Sequence, residues 1–158
     1  MIDQTKLPNK LVLVEYDNFN QVADAIRTLV VRGAPAIGVS GAFGLALAVL
    51  QSKTTTKDEL ISDLEKARKI LFETRPTAVN LVWGLEKIMK IAKSGDSVDQ
   101  IKKLVVNAAK KMADDDIEIN KIMGKNGSVL FDNNDTIMTH CNAGALATVA
   151  YGTALGVI

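Results

Sequence analysis

Apolar residues recur along most of this chain at the spacing of amphipathic helices. Between Asn18 and Val31, the positions Val22, Ala25, Ile26, Leu29 and Val30 fall at helical intervals and predict a helix. The preceding run Lys10 to Tyr16 (KLVLVEY) is β-branched and apolar and predicts a strand. RGAPAIG at 32–38 breaks the pattern. Pro35 suits the first turn of a new helix, where a missing N–H costs nothing, and that helix is predicted to run to about Gln51. It is almost wholly apolar, so it is expected to be buried. Thr56-Lys57-Asp58-Glu59 has the form of a capping box. The helix behind it places Leu60, Leu64, Ala67 and Leu71 on one face and runs to about Thr74, with Pro76 as its stop. Thr77 to Lys93 predicts the next helix, closed by Ser94-Gly95. Ser97-Val98-Asp99-Gln100 is a second capping box, opening a long helix to about Met123.

The pattern changes after about residue 125. Gly124 to Asp135 (GKNGSVLFDNND) is rich in turn residues. Thr136 to Thr139 (TIMT) is a short apolar run of the kind that forms a buried strand. CNAG at 141–144 predicts a turn, and Ala145 onward reads as an apolar helix. The expected fold is therefore a mainly α domain over residues 1–125, with short β strands at its start. A strand–turn–helix unit over 126–158 would begin a parallel α/β sheet. One strand and one helix cannot make a sheet, so the chain is expected to end inside a larger protein.

Composition narrows the function classes. Apolar residues make up 47% of the 158, so a substantial core can form, while aromatics are only 4%, leaving Leu, Ile, Val and Ala to build it. Nineteen Lys and Arg against eighteen Asp and Glu give no basis for a nucleic-acid or membrane partner. No stretch reaches about 18 unbroken apolar residues, and MIDQTKLPNK has no apolar signal region. One cysteine cannot close an internal disulfide, and one cysteine with one histidine cannot build a zinc cluster. These features describe a helix-rich protein expected in the cytoplasm.

Three segments could carry chemistry. In the first, Arg32, Gly33 and Ala34 precede a helix whose opening N–H groups lack partners. Helix N-termini attract anions, and a guanidinium binds phosphate in a bidentate fork; the alternative is a surface charge at a helix junction. Gly38, Gly41 and Gly44 come next at three-residue spacing and read as a stripe for close helix packing rather than a dinucleotide fingerprint. In the second, Arg75 also precedes a Pro-started helix (TRPT), which hints at a shared anion site if the two junctions converge; otherwise it offsets the dipole of the preceding helix. In the third, Cys141 in THCNAG would stand at a strand's carboxyl end before a helix, a position that stabilises a thiolate; the alternative is an inert core cysteine. His140 would face away from Cys141 on an alternating strand and reads as structural. Asp114-Asp115-Asp116 reads as a solvated helix face, and Asn80 and Trp83 as packing.

Taken in order, RGAPAIG at 32–38, TRPTAVNL at 74–81 and THCNAGALAT at 139–148 resemble the signature stretches of the methylthioribose-1-phosphate isomerases, and IDQTKLP at 2–8 resembles the start of that family's core. The broader family includes ribose-1,5-bisphosphate isomerases and regulatory subunits of a translation-initiation exchange factor. The resemblance implies a helical N-terminal domain followed by a Rossmann-like α/β domain, of which 126–158 would be the truncated beginning. It implies conversion of 5-methylthioribose 1-phosphate to 5-methylthioribulose 1-phosphate in methionine salvage, with no metal and no organic cofactor. It implies Cys141 as the catalytic cysteine and Arg32, Gly33, Ala34 and Arg75 as ligands of the sugar phosphate. The family's catalytic aspartate has no matching context within 1–158, so this chain alone is expected to be inactive without its missing C-terminal half. A homodimer is the assembly the resemblance implies. Two other functions stay open: a ribose-1,5-bisphosphate isomerase, whose C5 pocket would need basic groups rather than an apolar surface, and a non-catalytic regulatory subunit.

Overall fold

The computed structural model describes residues 1–158 throughout. Five α-helices build it: α1 (Phe19–Arg27), α2 (Ala34–Gln51), α3 (Lys57–Thr74), α4 (Val79–Lys93) and α5 (Val98–Gly127). Three of them start on a side-chain cap. Asn18, Thr56 and Ser97 accept from the N–H groups of Gln21, Glu59 and Gln100, which satisfies donors that the helix itself leaves open. The α1 cap is reciprocal, with the Gln21 side chain returning to the Asn18 backbone.

α2 is the centre of the bundle and packs against each of the other four helices. Twelve of its eighteen residues are buried. By length and composition it could cross a bilayer; the count of unbroken apolar residues missed this because Ser40 and three glycines interrupt the run. Its apolar surface is taken up by its neighbours instead. Leu60, Leu64 and Leu71 of α3, Leu81, Leu85 and Ile88 of α4 and Ile101 and Val105 of α5 are fully buried with it. Each such side chain contributes about 1.5–3 kcal/mol on burial. The glycine stripe acts as packing. A Cβ on Gly38 would stand 2.7 Å from Asn80 O, one on Gly41 2.6 Å from Leu81, and one on Gly44 3.0 Å from Leu71.

The β expectations are overturned: the chain is all helical, with no strand and no sheet. Residues 10–16 are extended, and Val12, Val14 and Tyr16 turn inward while Leu11, Leu13 and Glu15 face out. Apart from Lys10 N–H, which donates to Lys6 O, their backbone pairs with the three-residue N-terminus. Asp3 N–H donates to Val12 O, Val14 N–H donates to Met1 O, and Ile2 bridges Leu13. That is too short a ladder to form a strand. Residues 136–139 make no backbone hydrogen bond, and Met138 is 95% exposed. A strand is held by neighbouring strands, and here there is none.

The helix expected from Ala145 is also absent. Single 3₁₀ turns form at Ala145–Ala147 and Ala154–Gly156. Between them Tyr151 and Gly152 take φ of 71° and 65°, which no α-helix accommodates. The chain doubles back so tightly that a Cβ on Gly152 would fall 1.8 Å from the Gly144 carbonyl. No Rossmann-like start exists in 126–158. The segment instead folds onto the end of α5, where Gly124 meets Gly156 O and Gly127 meets Val157.

Candidate functional site

Gly33 is the pivot between the first and third chemical segments. It stands before α2 with φ 103°, a conformation that side chains other than hydrogen rarely adopt. Its Cα faces the backbone of Ala147 so closely that a Cβ would lie 2.3 Å from Ala147 Cα. The RGAP junction and the stretch after CNAG are thus in direct backbone contact. Gln4 reinforces the contact, its Nε2 donating to Leu146 O at 2.8 Å and to Arg32 O at 3.4 Å.

The second segment adjoins the first through helix packing. Gly38, in the second turn of α2, sits on Asn80 at the start of α4, and Gly84 sits on Gly38 O. Pro35, Val39, Asn80 and Trp83 line one cavity of about 370 Å³. Asp115, Asp116 and Glu118 share that cavity with one cation, Lys87, so its wall is net acidic and disfavours a phosphate, and neither Arg32 nor Arg75 lines it. The structure brings the helices behind the two arginines together but records no contact among Arg32, Arg75 and Cys141.

The arginines divide cleanly by partner. Arg27 pairs with Asp24, and Arg68 pairs with Glu65 at 2.7 Å and Glu86 at 3.1 Å. Arg32, exposed, and Arg75, half-buried, form neither an ion pair nor a side-chain hydrogen bond. The helices they precede are also the two that lack a side-chain cap: Gly33 stands before α2 and Ala78 before α4. Two uncommitted guanidinium groups and two uncapped helix N-termini are what an incoming anion needs.

Cys141 is exposed, with φ 71°. It precedes no α-helix, so the expected stabilisation of its thiolate by a helix N-terminus is not provided; the next element along the chain is the single turn at Ala145–Ala147. His140 is exposed as well. The acidic run on α5 is not a free solvated face. Asp115 pairs with Lys111 at 2.6 Å, and Asp116 Oδ2 accepts the Val149 N–H at 2.7 Å. Sequence reasoning missed Gln4 and this role of Asp116, because their partners lie 142 and 33 residues away.

A model of the Initiation factor 2 subunit family matches residues 30–158. The putative methylthioribose-1-phosphate isomerase of Archaeoglobus fulgidus is 49% identical over 158 residues, covering 100% of this chain and 47% of the relative. The methylthioribose-1-phosphate isomerase of Acetivibrio thermocellus is 48% identical over 160 residues, with 100% and 47% covered. Among solved structures, 5-methylthioribose 1-phosphate isomerase from Pyrococcus horikoshii OT3 aligns with TM-score 0.92 at 47% identity, over 99% of this chain and 44% of that one. A structure described as translation initiation factor eIF-2B, subunit delta, from A. fulgidus aligns with TM-score 0.90 at 49% identity, over 99% and 46%. The chain spans about half the length of the curated relatives it matches.

Proposed function

This chain belongs to the initiation factor 2 subunit family, and from that membership we propose that it forms part of an aldose–ketose isomerase converting 5-methylthioribose 1-phosphate to 5-methylthioribulose 1-phosphate. Relatives that bear this activity in their names match it over its whole length at 42–49% identity. The observation that carries the reading is the state of the arginines. Arg32 and Arg75 alone are uncommitted, and each precedes a helix with no side-chain cap. In this reading they hold the phosphate, with Gly33 and Ala34 letting it approach the backbone.

The reaction moves a hydrogen from C2 to C1. The C1–O4 bond of the ring breaks and O4 takes up a proton. The C2 hydroxyl loses its proton and becomes the ketone, so one carbon is oxidised as its neighbour is reduced and no external oxidant enters. Cys141 is the proton-carrying thiol in this scheme; its exposure leaves it open to a substrate. The second acid–base group that ring opening needs is not matched among residues 1–158. We read the working protein as a cytoplasmic homodimer, an assembly supported by the family resemblance alone; a monomer by light scattering would count against it.

The test is carbon NMR of the full-length protein with 5-methylthioribose 1-phosphate. A ketone carbon is expected with the native protein and absent with Cys141→Ala. A second reading, a non-catalytic regulatory subunit, draws on the name of the A. fulgidus initiation-factor structure. Binding of the sugar phosphate with no ketone signal would favour it.

A further inference from the structure

Two side chains outside the arginine and cysteine segments hold the turn beyond Cys141. Gln4 spans two carbonyls with one carboxamide, donating to Leu146 O and, more weakly, to Arg32 O. Its own N–H donates to Val30 O at 2.9 Å, which ties it to the start of the same junction. Gln4, Ser40 and Thr148 supply the only polar side chains on the wall of an apolar cavity of about 440 Å³ that Leu146 and Val149 also line. From α5, Asp116 Oδ2 accepts the Val149 N–H. Between the two tethers, Ala147 rests on Gly33.

We propose that Gln4 and Asp116 are positioning residues that dock the Cys141-bearing segment on the Arg32–Gly33 junction and so keep the thiol in register with the phosphate-binding guanidinium. The roles given to Cys141 and Arg32 rest on the proposed isomerase; the docking itself does not. The chemistry of each tether is specific. A carboxamide offers two N–H donors to two carbonyls. Gln4→Glu keeps the shape but sets a carboxylate against both carbonyl oxygens. Asp116→Asn keeps an acceptor oxygen for Val149, whereas Asp116→Ala removes it.

The experiment uses the full-length protein with Gln4→Glu, Gln4→Ala, Asp116→Ala and Asp116→Asn. Amide hydrogen exchange over residues 141–152 is read alongside kcat and KM. Gln4→Glu and Asp116→Ala are expected to speed exchange at 145–149 about tenfold or more. They are expected to lower kcat about 10- to 100-fold, the scale of a misplacement near 1 Å, with KM held within about threefold. Asp116→Asn is expected to stay near the native values in both readouts, and Gln4→Ala to fall between native and Gln4→Glu. A residue that served stability alone would lower the melting temperature and leave kcat of the folded protein unchanged. Native exchange at 145–149 in both Gln4→Glu and Asp116→Ala would overturn the proposal, as would an Asp116→Asn protein as impaired as Asp116→Ala. Faster exchange in a protein that shows no turnover even in its native form would uphold the docking and sink the isomerase reading.

Discussion

Gly33 answers two demands at one position: a φ of 103° and an approach to Ala147 that leaves no room for a methyl group. Gly33→Ala therefore meets a conformational cost and a backbone clash together, on the order of 1–3 kcal/mol for each kind of effect. A loss of unfolding free energy of about that size is expected in urea denaturation, with faster hydrogen exchange at 145–149 because the junction must open. An alanine protein with native midpoint and native exchange would show that the contact is dispensable. Side-chain caps illustrate what one residue reveals in advance. Thr56 and Ser97 were readable because a cap and its partner lie three residues apart. Arg32 and Arg75 were readable as Pro-helix junctions for the same local reason. Gln4 was not, because nothing near it in sequence signals a bond to Leu146.

Elements obey the same division between local and distant causes. The five helices of the bundle fall where the apolar pattern placed them, because a helix satisfies its own backbone within each turn, although α1 stops at Arg27 short of Leu29 and Val30 and the helix expected from Ala145 did not form. The strands expected at 10–16 and 136–139 failed because a strand's hydrogen bonds are supplied by another strand, and the apolar pattern of a segment does not reveal whether one is there. Between helices, the α2–α4 contact turns on Gly38 and Gly84. A Cβ on Gly84 would lie 2.5 Å from Gly38 O, a backbone atom that cannot step aside. Gly84→Ala gains about 1 kcal/mol of helix propensity but forces α2 and α4 apart, at a cost of about 1–3 kcal/mol. A net loss is expected in chemical denaturation, and a stabilised variant would refute it.

The α3–α4 contact has an electrostatic component that pH can read. Hydrogen bonds from Arg68 and then Lys93 hold the Glu65 carboxyl below the ordinary glutamate value. A carboxylate whose pKa is lowered by folding stabilises the fold above its unfolded pKa, roughly 4.3. That contribution is lost as pH falls through the lower folded value. The Glu65 side chain is 37% exposed, so the effect is screened and modest. Glu65→Gln is expected to melt below the native protein at pH 7, with the gap closing as pH drops beneath about 4. A gap that stays constant between pH 7 and pH 3 would show that the charge contributes nothing.

At the scale of the whole molecule, the proposed isomerase would separate binding from turnover. The groups suited to an anion, Arg32, Arg75 and the open ends of α2 and α4, are all anchored on a well-buried bundle. The thiol lies on a segment of turns, and the chain from Val129 onward leaves apolar side chains in water: Val129 is 81%, Leu130 75% and Met138 95% exposed. Apolar surface of that extent favours association. In the proposed reaction, ring opening and hydrogen transfer at C1–C2 need a second acid–base group besides the thiol, and the family resemblance assigns none within 1–158. A polypeptide of these 158 residues is therefore expected to bind inorganic phosphate weakly, in the millimolar range typical of a few exposed charge-assisted hydrogen bonds. It is expected to show no ketone carbon by NMR with 5-methylthioribose 1-phosphate. Arg32→Ala and Arg75→Ala should each weaken the phosphate binding, since both guanidinium groups are free to engage. Turnover by the 158-residue polypeptide would place the second group among these residues and break the separation. Phosphate binding unchanged by either arginine variant would move the anion site elsewhere in the bundle.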